Sequence, residues 1–216
     1  MLIGDSTLPP AMLAGGSMGT TSWGTAIIGA CRRLRKLIAR GVPDAGAEAH
    51  FDTEAEIEAD EPLSRHSFGA HFVEVRVNVD TREVQVARAL GVFAAGRIIN
   101  PLTARSQMIG GMTMGIGMAL HEESVLDPRF GEYVNHDLAG YHIPTCADIE
   151  EIEVVLMPEE DTRVNPLGAK GIGELGIVGA AAAVANAVHH ATGLRIRELP
   201  IVPARVIAAE ASRIDV

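Results

Sequence analysis

The spacing of apolar and polar residues changes along this chain, and each change predicts an element. Residues 4–21 show no period and are rich in Gly, Pro, Ser and Thr, which reads as loop. From about 23 to 40 the spacing is helical, with Ala26, Ile27, Ala30, Leu34, Leu37 and Ile38 on one face. Basic residues occupy its last turn, and Gly41-Val42-Pro43 stops it. Further on, Val73, Val75, Val77 and Val79 alternate with Glu74, Arg76 and Asn78, the pattern of a half-buried strand. Asp80-Thr81-Arg82 is turn chemistry, and Val84 and Val86 continue as a second strand, so a β-hairpin is predicted. Asn100-Pro101 predicts an N-cap followed by Pro at the first helical position, opening a helix toward His121. Residues 152–157 predict a strand, 158–173 a Pro/Gly loop, 175–191 an Ala-rich helix and 194–197 a short strand, with a terminal helix after Pro203. Strands and helices come in groups more than in alternation. That favours an α+β fold, a mixed or antiparallel sheet with packed helices, over a parallel α/β sheet.

With 216 residues the chain can bury one large or two small cores. The expected organisation is a loop-and-helix segment over 1–44, an acidic linker over 45–67 and an α+β domain over 68–216. Glu48, Asp52, Glu54, Glu56, Glu58, Asp60 and Glu61 supply much of the net charge of −10, with no Lys or Arg among them, and read as a solvated linker. A chain of this sign lacks the basic footprint of a nucleic-acid binder. Its longest apolar run, 177–188, is interrupted by Asn186 and is too short to span a bilayer, so no membrane partner is expected. The N-terminus carries no basic segment before an apolar one. The expected location is therefore cytoplasmic, or periplasmic if a partner subunit carries the export signal. Cys31 and Cys146 form neither a CxxC pair nor a disulfide framework, and their apolar neighbours predict core positions.

Three segments could carry chemistry. Gly15-Gly16-Ser17-Met18-Gly19-Thr20-Thr21-Ser22 runs straight into a helix, so freed N–H groups, hydroxyls and the positive helix end make an anion seat or a plain N-capping loop. Arg97-Ile98-Ile99-Asn100-Pro101-Leu102-Thr103 also feeds a helix start, with Gln107 one turn inside. Gln offers donors and an acceptor suited to a heterocycle edge, although an ordinary capped helix reads the same way. Within that helix Gly110, Gly111, Gly115 and Gly117 each cost about 1 kcal/mol relative to Ala, which either close helix packing or ligand approach would offset. The third segment is Gly168-Ala169-Lys170-Gly171-Ile172-Gly173-Glu174. Gly171, Gly173 and Gly176 spell GxGxxG, with Glu198 downstream as in a dinucleotide fold, but Val164-Asn165-Pro166-Leu167 is a poor strand to precede it. Glu174 is either a tuned general base or a first-turn Glu favoured by the helix dipole. His121, His136, His142, His189 and His190 show no metal-ligand spacing, and His189-His190 suit a helix C-terminus.

Together the three segments resemble the molybdopterin-binding subunit of the xanthine dehydrogenase/aldehyde oxidase family, the molybdenum hydroxylases. The likeness is greatest to bacterial aldehyde oxidoreductases that use molybdopterin cytosine dinucleotide. It rests on residues 15–22 with their helix, on 96–107 continuing as Gly110-Gly111-Met112-Thr113-Met114-Gly115-Ile116-Gly117-Met118-Ala119-Leu120-His121-Glu122, and on 168–174 with the helix after it. The resemblance implies that Ser17, Met18, Arg97, Ile98, Ile99, Asn100, Pro101, Leu102 and Thr103 hold the cofactor's phosphates and pterin. Gln107 would bond the pterin, and Lys170, Gly171, Ile172 and Gly173 would run beside the metal. Glu174 falls where the family keeps its catalytic base, which takes a proton from a Mo–OH group as the oxygen attacks substrate carbon. Molybdenum in this family is held by the cofactor's dithiolene, so no protein metal ligand is expected.

The implied activity is oxidation of an aldehyde to a carboxylic acid, or hydroxylation of a purine or other N-heterocycle, with water as the oxygen source. Electrons would pass to an iron–sulfur subunit, and iron–sulfur clusters and FAD would reside only on partner subunits. Many relatives carry Glu two residues after the pterin-contacting Gln, where this chain has Ile109, which favours the aldehyde branch. Family subunits are several times longer, so the chain is expected to be the C-terminal portion of a molybdenum-binding subunit, split or truncated. It would need the remainder of that subunit and be inactive alone. The competing readings are a nicotinamide-dependent dehydrogenase built on Gly171–Gly176 and an inactive, partner-binding remnant.

Overall fold

The computed structural model describes residues 6–7, 14–43, 46–53 and 63–214. The opening of the predicted loop at Gly4-Asp5 and the acidic residues Glu54, Glu56, Glu58, Asp60 and Glu61 lie outside the described residues. The chain divides into two compact units. The first comprises Met1–Ser67, Ala95–Ile99 and Pro158–Gly173; the second comprises Phe68–Ala94, Asn100–Met157 and Glu174–Val216.

In the first unit, helix α1 spans Met18–Ala39 and so starts five residues before its apolar period does. Its predicted face is only half-buried or exposed, and Gly29 is its one buried residue. Gly29 leaves room for the Phe51 ring, and Arg33 bonds the His50 carbonyl at 2.8 Å while its guanidinium lies 4.7 Å from the Phe51 centroid. Cys31 is exposed, contrary to the core position its neighbours in sequence predict. Being apolar along the chain is no guide here, because this helix buries so little.

The second unit holds the sheet. Strands β1 (Phe68–Val77) and β2 (Val84–Ala94) form the predicted antiparallel hairpin, registered Phe68 to Ala94 through Val77 to Val84. The Asn78 side chain accepts from Asp80 N at 2.9 Å and Thr81 N at 3.1 Å, and Arg82 takes the left-handed conformation at φ 63°. Chain then passes through helix α2 (Pro101–Leu120) and two short pairing strands, β3 (Leu126–Asp127) and β4 (Glu132–Tyr133). Strand β5 (Ile152–Leu156) joins β2 in parallel, so the sheet order is β1-β2-β5 and the sheet is mixed. Helices α3 (Ala180–Thr192) and α4 (Pro203–Ile214) complete an α+β fold.

The core is apolar and tightly closed, with Val86, Phe93, Met108, Met112, Ile116, Val184, Val188 and Val206 essentially without exposed surface. Helix α2 is capped as predicted, since the Asn100 side chain accepts from Leu102 N at 3.1 Å and Thr103 N at 3.3 Å. Several of its glycines are packing positions, Gly117 against the Pro144 ring among them. A Cβ on Gly111 would lie 3.0 Å from Gly176 Cα, and one on Gly115 would lie 2.6 Å from Ala180 Cβ. Gly110 differs, because nothing lies within 4 Å of where its Cβ would be.

Three expectations need correction. Helix α3 begins at Ala180 and not at 175, because Gly176 is pressed against the Met108 backbone and Gly179 against the His71 ring. Residues 174–179 form turns, with Ile177 N and Val178 N both donating to the Glu174 carbonyl. No strand forms over 194–197: Gly193 ends α3 at φ 72°, and Leu194 N turns back to Thr192 Oγ1 at 3.1 Å. Cys146 is exposed as well, in the turn that Asp148 closes onto Thr145 N at 2.6 Å.

Candidate functional site

Two of the three segments meet inside the first unit, joined by the start of the third. Ser17 stands at the N-cap position of α1 in the left-handed conformation, φ 67°, yet makes no side-chain capping bond. Its Oγ accepts instead from Ile172 N at 3.1 Å. The capping reading of this serine therefore fails, and its hydroxyl ties two distant loops together. Backbones of those loops touch: a Cβ on Gly171 would lie 2.6 Å from Gly16 O, and one on Gly173 would lie 3.3 Å from Gly16 Cα. Ser67 adds a bond from its hydroxyl to Gly171 O at 2.5 Å.

Residues 95–97 run beside 168–170 in the same unit. Gly96 and Ala169 form an antiparallel bridge, Arg97 N donates to Gly168 O at 2.7 Å and Lys170 N donates to Ala95 O at 3.1 Å. Gly96 at φ 64° and Gly168 at φ 69° make these turns, and a Cβ on Gly96 would collide with the Gly168 carbonyl. Asn165 closes the loop, its amide donating to Ala169 O at 2.7 Å and its oxygen accepting from Leu167 N at 3.0 Å. This is irregular loop where a dinucleotide fold requires a strand ending at Gly171, so the GxGxxG reading is removed. Met18, Arg97 and Ile99 are exposed, and Ile98 is half-buried. The Lys170 ammonium is turned onto two carboxylates, Glu159 Oε1 at 2.6 Å and Asp161 Oδ2 at 3.1 Å.

The second unit carries Asn100, Pro101, Leu102, Thr103, Gln107 and Glu174. Asn100 acts as the ordinary cap, and the Leu102 and Thr103 amides are engaged with its side chain. Gln107 lies on an exposed face of α2 with Thr103, Gly110 and Met114. Glu174 is exposed and opens the turn whose Gly176 abuts the backbone of Met108, the residue after Gln107. Because α3 starts six residues later, Glu174 does not stand in its first turn, and the helix-dipole reading loses its basis. His71 on β1 supports this turn from below. Its ring meets Gly179, packs edge-on to Phe93 at 5.2 Å and hydrogen-bonds the Leu175 backbone. Burial is the main cause holding the His71 pKa below its ordinary value, opposed by the bond to Leu175.

Sequence reasoning missed Glu159, Asp161, Asn165, Ser67 and His71. One signal was present: Lys170 is one of only two lysines in the chain, with Glu159-Glu160-Asp161 shortly before it. None of the predicted residues lines the cleft of about 760 Å³ around Arg76, His121, His142 and Asp148.

A family model for the molybdopterin cofactor-binding domain matches residues 40–150. The chain belongs to that family, that of the molybdenum hydroxylases. It is 42% identical to the aldehyde oxidoreductase molybdenum-binding subunit PaoC of Escherichia coli (strain K12), over 92% of this chain and 31% of that protein. It is 35% identical to the putative xanthine dehydrogenase molybdenum-binding subunit XdhA of the same organism, over 76% of this chain and 21% of that one. Among solved structures, the aldehyde oxidoreductase of Desulfovibrio desulfuricans superposes with a TM-score of 0.72 at 27% identity, covering 93% of this chain and 24% of that one. The chain thus spans about a third or less of the length of these curated relatives.

Molybdopterin is the cofactor class of the family, and the residues present fit it. In the second unit, open space beside Gly110 lies one turn from Gln107 on the same exposed face of α2, which suits a flat heterocycle. The exposed Arg97 guanidinium of the first unit suits an anion. Among the described residues, no group of three or more His, Cys, Asp or Glu is arranged to hold a metal ion. No described helix is long and apolar enough to cross a membrane.

Proposed function

We propose that this chain supplies cofactor-binding loops and the catalytic base of a molybdenum hydroxylase that oxidises aldehydes to carboxylic acids. The observation that carries the reading is Glu174: an exposed carboxylate at the end of the 168–173 loop, on a turn locked to α2 beside Gln107. Ser17, Met18, Arg97, Ile98 and Ile99 would bind the cofactor from the first unit, with backbone groups of Lys170, Gly171, Ile172 and Gly173. Asn100, Pro101, Leu102, Thr103 and Gln107 would bind it from the second. Asn100 already occupies the Leu102 and Thr103 amides, and the Thr103 hydroxyl donates to the Asn100 carbonyl at 3.3 Å, so the pterin edge would be met there by Gln107. When bound, the cofactor would supply a two-electron acceptor and an oxygen atom drawn from water. The Glu174 carboxylate would accept the proton released as that oxygen bonds to the aldehyde carbon. Aldehyde and water then give carboxylic acid, two protons and two electrons, the electrons leaving through an iron–sulfur partner subunit and, where present, an FAD subunit.

The aldehyde branch is supported by Ile109, two residues after Gln107, and by the name of the 42%-identical relative. We assign the cofactor's tail as cytosine dinucleotide on the same resemblance.

The test is to produce the chain with the products of its adjacent reading frames in a host that makes the cofactor. Molybdenum close to one per complex, CMP released on acid hydrolysis and aldehyde-dependent dye reduction are expected. Glu174→Gln should keep the metal and lower turnover by about 10²- to 10⁴-fold, the usual weight of a general base. Metal-free protein would favour the partner-binding remnant. Oxidation of purines but not aldehydes would move the chain to the heterocycle branch.

A further inference from the structure

The family reading assigns Lys170 to the cofactor, yet its side chain is 7% exposed and its ammonium faces away into carboxylates. Glu159 is the pivot of that arrangement. One carboxylate oxygen accepts from Lys170 Nζ at 2.6 Å, and the other accepts from Gly96 N at 2.6 Å. Asp161 adds a second bond to Lys170 at 3.1 Å and accepts from Arg163 N at 3.0 Å. Glu159 therefore joins the 95–99 loop to the 168–173 loop, which already run side by side through Gly96, Ala169, Arg97 and Gly168. Every residue in this clasp belongs to the first unit.

We infer that Glu159 is a positioning residue: its two oxygens, one on Gly96 and one on Lys170, set the register of the two cofactor loops and thereby the retention of the pterin. The inference rests on the proposed function for what the loops hold, and on geometry alone for how they are held. Only a carboxylate serves here. It presents two acceptors to two donors at once, whereas an amide has a single acceptor oxygen and would leave one donor unpaired. Lys170 then acts through Glu159, and its charge is spent inside the protein. Positive charge toward an anionic ligand would come from Arg97 and from backbone N–H groups.

The ordinary charges of Glu159 and Lys170 are reinforced. Bonding to Lys170, then to Gly96, holds the Glu159 carboxyl below the usual carboxylate range, and bonding to Glu159 first and then Asp161 holds the Lys170 ammonium above its own.

The experiment compares the co-produced complex with its Glu159→Gln, Lys170→Met, Lys170→Arg and Asp161→Asn variants. Amide hydrogen exchange is read in peptides covering 95–98 and 168–172, and pterin and molybdenum are measured per chain after gel filtration. Glu159→Gln and Lys170→Met should speed exchange in both peptides at least tenfold and lower retained pterin several-fold, with α2 exchange unchanged. Lys170→Arg, which restores a cation, should recover most of both. Asp161→Asn removes only the 3.1 Å contact, so it should move the same two peptides less, and it serves if Glu159→Gln fails to fold. Wild-type exchange and retention in Glu159→Gln would overturn the inference alone. So would lost pterin with unchanged exchange in those peptides, since Glu159 would then touch the ligand directly. Absence of pterin from the wild-type complex would instead sink the functional reading, and the cofactor half of this inference with it.

Discussion

The two units solve the same problem, holding a few backbone turns still, by different means. In the second unit Phe93, Met108, Met112, Ile116 and Val184 fill an apolar core, and the Glu174 turn is fixed by backbone pressed against backbone at Gly111 and Gly176. In the first unit the buried residues among those described are all small: Gly29, Ala95, Gly96 and Ala169. Its loops are held by directed bonds from Ser17, Ser67, Asn165, Glu159 and Lys170. Close packing is insensitive to polarity and salt but intolerant of volume; hydrogen-bonded clasps are the reverse. A polar clasp also leaves backbone N–H groups near a surface, where an anionic ligand can use them.

The strongest way to break this comparison is to remove volume from the second unit. Phe93 is fully buried, and Gly69 and Gly91 sit where any side chain would strike its ring. Those glycines cannot collapse into a void. Phe93→Ala should therefore destabilise the second unit by about 3–5 kcal/mol, read as a fall in urea midpoint with unchanged slope. A loss below about 1 kcal/mol would mean that this core is not what holds the unit together.

A finer test uses neighbouring glycines of α2. Gly110→Ala adds a methyl where nothing lies within 4 Å, so the helix should gain about 0.5–1 kcal/mol from lower backbone entropy loss. Gly111→Ala gains the same propensity but drives a methyl to 3.0 Å from Gly176 Cα, and overpacking should cost about 1–3 kcal/mol. Opposite signs in thermal unfolding are expected. Equal gains would show that the turn bearing Glu174 is not clamped by α2.

What could be read from the sequence divides along the same line. The hairpin was legible because Val73, Val75 and Val77 alternate with charged residues, and the start of α2 because Asn100-Pro101 is a local signal. Lengths were less legible: α3 starts late because Gly176 and Gly179 answer to Met108 and His71, contacts no window of residues contains. The three motif segments were visible as glycine clusters. Their fastening was not, since Ser17 meets Ile172 and Gly96 meets Glu159 across 155 and 63 positions, with no period to betray either. His71 was hidden differently, looking like one more polar position in an alternating strand while its ring packs on Phe93.

The smallest effect concerns acid, and here the two units should part. The Glu159 and Asp161 carboxyls sit below their ordinary values of 4.5 and 3.8, so their contribution is present above those values and is lost as pH falls through the depressed ones. Lys170 sits above its ordinary 10.5, so its contribution is present below that value and is lost as pH rises through the raised one. Between about pH 5 and pH 10 the clasp should thus be constant, and it should open only as pH falls through the depressed carboxyl values. Glu159 and Asp161 are partly solvated, so solvent screening keeps the effect on global stability small. The sensitive readout is therefore local: exchange at Gly96 and Lys170, corrected for the intrinsic pH dependence, should accelerate at pH 3 relative to pH 6. The amides of α2 around Met112 and Ile116, in an environment without a titrating group among its buried residues, should not follow. If both regions lost protection together, the polar clasp and the apolar core would be one cooperative structure, and the contrast between the units would be only one of composition.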